Sequence, residues 1–201
     1  MVKIRLFKDG DQEHIRQICA DTAKGSWATN EKKRKAICVP YVDYYMEVEP
    51  ENVFVAVEDD DLPIGYIVCS TNPELYQKKF KEEYLKRTKK YSPLLAWFTK
   101  ICCKVNKKLD LFYGGGFHIN VAPKAQGKKI GNLLLTALGH HLIEKGVPYL
   151  YLVTENKKTR GYGYYTHFGF KVVKKYFLGS LALAYDLKNL EGQHGRVTVE
   201  N

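Results

Sequence analysis

Residues 121–132 read VAPKAQGKKIGN, and no other stretch of the chain restricts its fold so tightly. An apolar run, FHINV at 117–121, ends there. Gly127 and Gly131 follow within a short turn, and an apolar pattern of helical period then begins. Leu134, Leu138 and Leu142 recur at four-residue spacing through 131–145, Gly146 supplies a C-terminal stop, and Pro148 keeps the helix from resuming. A strand that turns through glycine into a helix is a place for an anion. The first N–H groups of a helix lack intrahelical partners, and the macrodipole adds positive partial charge there. Glycine lets a phosphate approach the backbone, while Lys124, Lys128 and Lys129 attract it from further away. Taken alone, the same spacing suits an ordinary strand-to-helix turn equally well.

The flanking segments predict a mixed sheet. Residues 3–7 alternate as a strand. Residues 11–22 follow as a helix, with Ile15 and Ile18 on one face and Asp9 or Asp11 as its cap. Residues 26–30 break that helix, and 31–48 form another that Pro40 kinks or restarts. Two strands, NVFVAV at 52–57 and IGYIVCS at 64–70, flank the turn EDDDLP as a hairpin. From 74 to 105 the chain becomes helical, basic and aromatic-rich, with a break at Ser92-Pro93. Its apolar part, LLAWFTKICCKV at 94–105, is interrupted by Lys100 and Lys104. A lid or extra hairpin packed on the domain accounts for it better than a helix lying on a membrane surface. Glycines 114–116 open the strand before the turn. After the helix at 131–145 come a strand at 149–153, a helix near 159–167 stopped by Gly169, and strands at 170–177 and 181–187 joined by LGS. Residues 188–201 are polar and are expected to fray. The order defines one α/β (α+β) domain over 1–187, with a helical insertion at 74–113.

Composition narrows the partners. Over 201 residues, 45% are hydrophobic and 27% charged, which argues against disorder. No run approaches the roughly 18 apolar residues of a membrane span, and the charged start MVKIRLFKDGD lacks the apolar core of a secretion signal. A cytoplasmic location is expected. The five cysteines are odd in number and fit no metal framework. Cys102 and Cys103 are adjacent, so the thiols are expected to be reduced and no metal site is expected. The net charge of +10 is scattered along the chain rather than gathered in one arm. Nucleic acid is therefore the weakest of the partners considered.

The turn resembles the signature of the GNAT N-acetyltransferase family: Arg or Gln, two residues, Gly, one residue, then Gly or Ala. Gln126 and Gly131 match, and Lys129 stands where the family has its first glycine. Val121 and Pro123 fit the end of the preceding strand. Asn156, Tyr165, Gly169 and Phe170 fit the downstream pattern, with the interval between Asn156 and Tyr165 about two residues longer than usual in that pattern. The resemblance covers residues 3–187 apart from the insertion. It implies a GNAT fold: a mixed, mostly antiparallel central sheet of six to seven strands flanked by helices, with the insertion before the fourth strand. A weaker likeness, carried by PYVDYYMEVEPENVFVAVEDD, the basic insertion and FHINVAP, is to the acetyltransferase-like domains that accompany some O-GlcNAc hydrolases.

The family resemblance implies acetyl-CoA as donor, held by Val121, Gln126, Gly127, Lys128, Lys129, Ile130, Gly131, Asn132 and Asn156. It also implies direct attack on the thioester by a primary amine. Tyr165 is expected to protonate the leaving thiolate, with Tyr164 as the rival if the register slips by one. His118, Glu155 or a chain of waters are the alternatives for the base. Tyr41, Tyr44, Tyr45 and Trp97 are candidates for an acceptor pocket. The other class of function is a catalytically inactive acetyl-CoA-binding or protein-interaction domain. A homodimer is compatible with either.

Overall fold

A computed structural model describes residues 2–114, 116–177 and 179–200. Among these residues eight strands form a single open sheet in the order β6-β7-β5-β4-β3-β2-β1-β8. The strands are β1 Lys3–Leu6, β2 Val53–Val57, β3 Pro63–Ser70, β4 Gly116–Val121, β5 Tyr149–Thr154, β6 Lys171–Lys175, β7 Leu181–Asp186 and β8 Val199–Glu200. Neighbours run antiparallel except at β4–β5 and β1–β8. The hairpin β2–β3 is buried on both faces, which explains its nearly unbroken apolar sequence.

Helices cover the two faces. On one lie α1 Gln12–Asp21, the short α2 Ser26–Thr29, α3 Glu31–Cys38 and α4 Tyr44–Val48. Pro40 does not end the helix between α3 and α4. It has no N–H to bond back along the helix, and the chain widens into a π-turn over Val39–Asp43 before resuming. On the opposite face lies α8 Ile130–Glu144, whose Ile130, Leu134, Leu135, Leu138 and Leu142 are all almost wholly buried. Each such side chain contributes about 1.5–3 kcal/mol by leaving water. Gly65 on β3 lets α8 settle on the sheet, since a Cβ there would meet Ile130 and Leu134 at 3.4 Å.

The C-terminal residues depart from expectation: of the segment expected to fray, 188–200 are folded onto the domain. α8 is apolar on more than the side that meets the sheet, and the chain returns to cover its back. Leu187 and Leu190 are buried against it, and Gly139 makes the room. A Cβ at Gly139 would lie 2.6 Å from Leu190 Cδ2 and 3.1 Å from Leu187 Cδ2. The short α10 Leu190–His194 then stacks His194 on Phe168 at 3.8 Å, and β8 adds a parallel eighth strand beside β1.

The insertion is helical, as expected: α5 Pro73–Lys79, a π-turn over Phe80–Tyr84, α6 Leu85–Tyr91 and α7 Pro93–Tyr113. Ser92 caps α7 by accepting from the N–H of Leu95, and Gly114 ends it in the left-handed region. Of the three glycines 114–116, Gly116 starts β4, and Gly115 lies outside the described residues, as does Leu178 of the expected LGS turn. Aromatic rings bind the insertion to the domain. Tyr44 meets Tyr76 at 4.8 Å and Tyr84 at 5.4 Å, with Phe80 between them. Buried Glu49 accepts from Tyr44 Oη (2.9 Å) and from the N–H groups of Thr71 and Asn72 (2.9 and 3.2 Å), fixing the point where the insertion leaves β3. Arg87 completes the attachment through ion pairs to Asp43 and Glu47.

Candidate active site

The turn after β4 is shaped as its sequence predicts. Gly127 has φ +86°, and a Cβ placed there would find nothing within 4 Å, so the approach to its backbone is open. Lys129 also lies in the left-handed region, φ 60° and ψ 13°, and serves as N-cap of α8 without a side-chain cap bond. A lysine has therefore replaced glycine while the backbone keeps the conformation glycine favours, at a cost of roughly 1–2 kcal/mol. Gln126 closes the turn: its Nε2 donates to Val121 O, and its Oε1 accepts from Arg160 Nη1, both at 3.2 Å. Arg160 begins α9 Arg160–Phe168 and brings a guanidinium to the turn. Lys128 reaches across to Glu58 at 3.2 Å. The first bonds back within α8 run from Asn132 and Leu133 to Lys129 O. Helix geometry leaves the preceding N–H groups facing outward, as an anion site requires.

β4 and β5 part company early. Among the described residues they meet at one register pair, Gly116↔Tyr151, and β4 then diverges toward the turn while β5 continues paired with β7. The resulting gap leaves an edge of backbone donors and acceptors unpaired by a neighbouring strand. A cavity of about 340 Å³ opens at this gap, with β4, β5, the helix at 31–48, α5 and α7 as its walls. α7 presents Thr99, Cys102, Cys103, Asn106 and Asp110 to it, the side chains of one helical face.

The structure brings some of the expected residues together. His118 and Glu155 both line the cavity. His118 Nδ1 lies 3.2 Å from Tyr66 Oη, which accepts from Asn120 Nδ2 at 3.0 Å, and the imidazole packs tilted against the ring of Tyr41 with centroids 4.8 Å apart. Burial pushes the His118 pKa down to about 4. Glu155 is exposed at the cavity mouth and paired with Lys24 Nζ at 2.6 Å. Tyr41 and Tyr45 line the cavity as expected. Tyr44 does not, because it is wholly buried in the aromatic stack with the insertion. Trp97 does not either, because it sits on the outer side of α7, 61% exposed.

Tyr165 packs on the other side of β4, with its ring centroid 6.1 Å from Phe117 and 5.6 Å from Phe170; burial raises its pKa. Phe117 also lines the cavity, so one residue separates Tyr165 from it. Tyr164 has a different place. Its hydroxyl is buried against Gly131, where a Cβ would lie 2.6 Å away, and it has no hydrogen-bond partner among the described residues. Gly131 is thus required by the protein's own packing. Asn156 is occupied locally, its Oδ1 accepting from Lys158 N at 2.8 Å and its carbonyl from Thr159, ahead of α9.

Asp110 and Arg160 escaped sequence reasoning. Arg160 belonged to a basic run with nothing to single it out. Asp110 carried one faint signal, its spacing from Thr99, Cys103 and Asn106 along one face of α7. Asp110 accepts from Gln77 Nε2 at 2.8 Å, and burial raises its pKa to about 6.

An anion-ready turn and a walled cavity thus lie along one splayed strand pair. The model of the "Acetyltransferase (GNAT) family" matches residues 14–170, and the chain belongs to that family of acyltransferases. Solved structures agree in fold. SsHAT superposes with TM-score 0.77 at 18% identity, covering 92% of this chain and 98% of that one. The polyamine N-acetyltransferase of Drosophila melanogaster gives 0.62 at 11%, covering 92% and 100%. The putative acetyltransferase yncA of Salmonella typhimurium, solved with acetyl-CoA, gives 0.57 at 15%, covering 93% and 94%. No curated protein matches the chain. Among the described residues no helix is long and apolar enough to cross a membrane.

Proposed function

We propose that the chain transfers the acetyl group of acetyl-CoA to a primary amine that enters through the cavity. The observation that carries this reading is the placement of two sites along one unpaired strand edge: an open, donor-rich turn where β4 ends, and a walled pocket where β4 and β5 part. A CoA pyrophosphate suits the N–H groups of residues 127–131, flanked by Lys128, Lys129 and Arg160. The amide groups between that pyrophosphate and the thiol suit the exposed edges of β4 and β5. When bound, acetyl-CoA supplies an acetyl group activated as a thioester, which a free amine can displace. An acyl-CoA-bound relative of the same fold is consistent with this donor.

In this reading the chain's own residues share the work unequally. Tyr66 Oη, 3.2 Å from Nδ1, fixes the ring of His118, and the tautomer with Nε2 unprotonated is the one that can accept from the amine. A general base works best with a pKa near the operating pH. His118 at about 4 falls well short, so its part is to orient the amine's lone pair, and water in the cavity takes the proton. Tyr165, beside Phe117, protonates the departing thiolate. Its high pKa keeps the phenol protonated until that moment. Asn156, held within its own turn, assists only by starting α9 correctly.

Incubation of the purified chain with labelled acetyl-CoA and a panel of primary amines tests the reading. Labelled amide, formed with stoichiometric release of CoA, is expected. Saturable acetyl-CoA binding without transfer to any amine would contradict it and leave a binding domain of the same fold.

A further inference from the structure

The chain carries 32 lysines and arginines and a net charge of +10. None of those basic residues lines the cavity, whose charged side chains are the carboxylates Asp110 and Glu155. The two differ in kind. Glu155 stands at the exposed mouth and is already neutralised by Lys24 at 2.6 Å. Asp110 lies deeper, on the insertion helix α7, and forms no ion pair with any lysine or arginine among the described residues. Its partner is the neutral amide of Gln77, at 2.8 Å. A carboxylate withdrawn from water and left without a cation is costly. Around it the walls are aromatic and electron-rich, with Tyr41, Tyr45, Tyr76 and Tyr151 all facing the same space. Rings of this type favour a cation placed over them by roughly 0.5–2 kcal/mol.

We infer that the cavity recognises a small diamine: one amino group is presented at His118, and a second, cationic group is received by Asp110 among the tyrosines. The inference rests on the acetyl-transfer reading of the same site and adds the substrate class to it. It also gives the insertion a purpose. α5 and α6 are bolted to the domain through the rings and ion pairs described above, and Gln77 of α5 ties α7 to them by donating to Cys103 O at 3.3 Å and to Asp110 at 2.8 Å, which holds Asp110 at a fixed place over the pocket. The recognition is selective by charge. A neutral tail in that position would leave Asp110 buried without a counter-ion, and an anionic tail would be repelled.

Equilibrium binding separates this inference from the chemistry. The full chain, with saturating CoA, is titrated calorimetrically with α,ω-diamines from 1,3-diaminopropane to 1,6-diaminohexane and with the n-alkylamine of matching length. At least one diamine is expected to bind tenfold or more tightly than its monoamine. Asp110→Asn should abolish that preference, by weakening the diamine and relieving the penalty on the monoamine; Asp110→Glu should keep part of it. Equal affinity for diamine and monoamine in the wild type, or a preference that survives in Asp110→Asn, overturns the inference, as does failure of every diamine to saturate. CoA binding and acetyl transfer are read separately. A diamine preference without turnover would therefore sink the acetyl-transfer reading and leave the pocket assignment standing.

Discussion

Lys129 decides whether the turn is a damaged or an intact version of its family's. Its side chain differs, but its φ of 60° preserves the left-handed conformation that glycine adopts freely. Lys129→Gly should therefore raise stability by up to about 1 kcal/mol without loss of acetyl-CoA affinity. Lys129→Val, which disfavours that conformation, should lower stability by more; thermal unfolding of both variants checks the ordering. Gly131 is constrained differently, by Tyr164 Oη at 2.6 Å from its missing Cβ. Gly131→Ala should cost about 1–3 kcal/mol. Tyr164→Phe, which removes an unpartnered buried hydroxyl, should recover part of that loss in the double variant. Simple additivity in denaturant titrations would show that the contact is not the cause. Tyr165→Phe should slow acetyl transfer by tenfold or more and leave acetyl-CoA affinity alone; a wild-type rate would remove Tyr165 from the chemistry.

At the scale of elements, the strands and α8 were legible because their patterns are local. The apolar run in 64–70, glycine at 127 and 131, and leucines four apart each report on their own neighbourhood. What remained hidden depends on contacts between distant segments. The return of Leu187 and Leu190 over α8 is invisible until Gly139 is seen to admit them. Trp97 and Tyr44 read as pocket aromatics, yet one faces solvent and the other fills the stack that seats the insertion. The direction of a helix face is set by its partner, not by its sequence alone. The same holds for Asp110, which becomes conspicuous only when α7 is placed against β5. Glu49 shows how firmly that placement is held. Glu49→Ala removes acceptors for Tyr44, Thr71 and Asn72 together, and should cost about 2–4 kcal/mol in chemical denaturation. A loss below about 0.5 kcal/mol would mean that the insertion is seated by its aromatic rings and the Arg87 ion pairs without help from Glu49.

For the whole molecule, two cavity residues pull stability in opposite directions as pH changes. His118 has its folded pKa lowered to about 4 from an ordinary value near 6.5. The unfolded chain then binds the extra proton between those values, and stability is lost as pH falls through that window. Asp110 has its folded pKa raised from 3.8 to about 6. Its contribution is present below pH 4 and is lost as pH rises toward 6. The two windows overlap and offset each other in the wild type. Asp110→Asn should expose the His118 dependence as a steeper rise in stability from pH 4 to 6.5, and His118→Gln should expose the opposite slope. Urea unfolding across that range, with differences of about 1–2 kcal/mol between the variants, is the expected result. Parallel profiles would show that neither group is held as the structure places it.

If the turn from Val121 to Asn132 holds the pyrophosphate of acetyl-CoA, calorimetric titration of the purified chain with acetyl-CoA and with CoA shows it most directly. Saturable one-to-one binding of both is predicted, weakened severalfold or more by Lys128→Ala combined with Arg160→Ala. No binding of either at millimolar concentration would contradict it, and would leave this chain with the fold of its family but without the donor on which the family's chemistry depends.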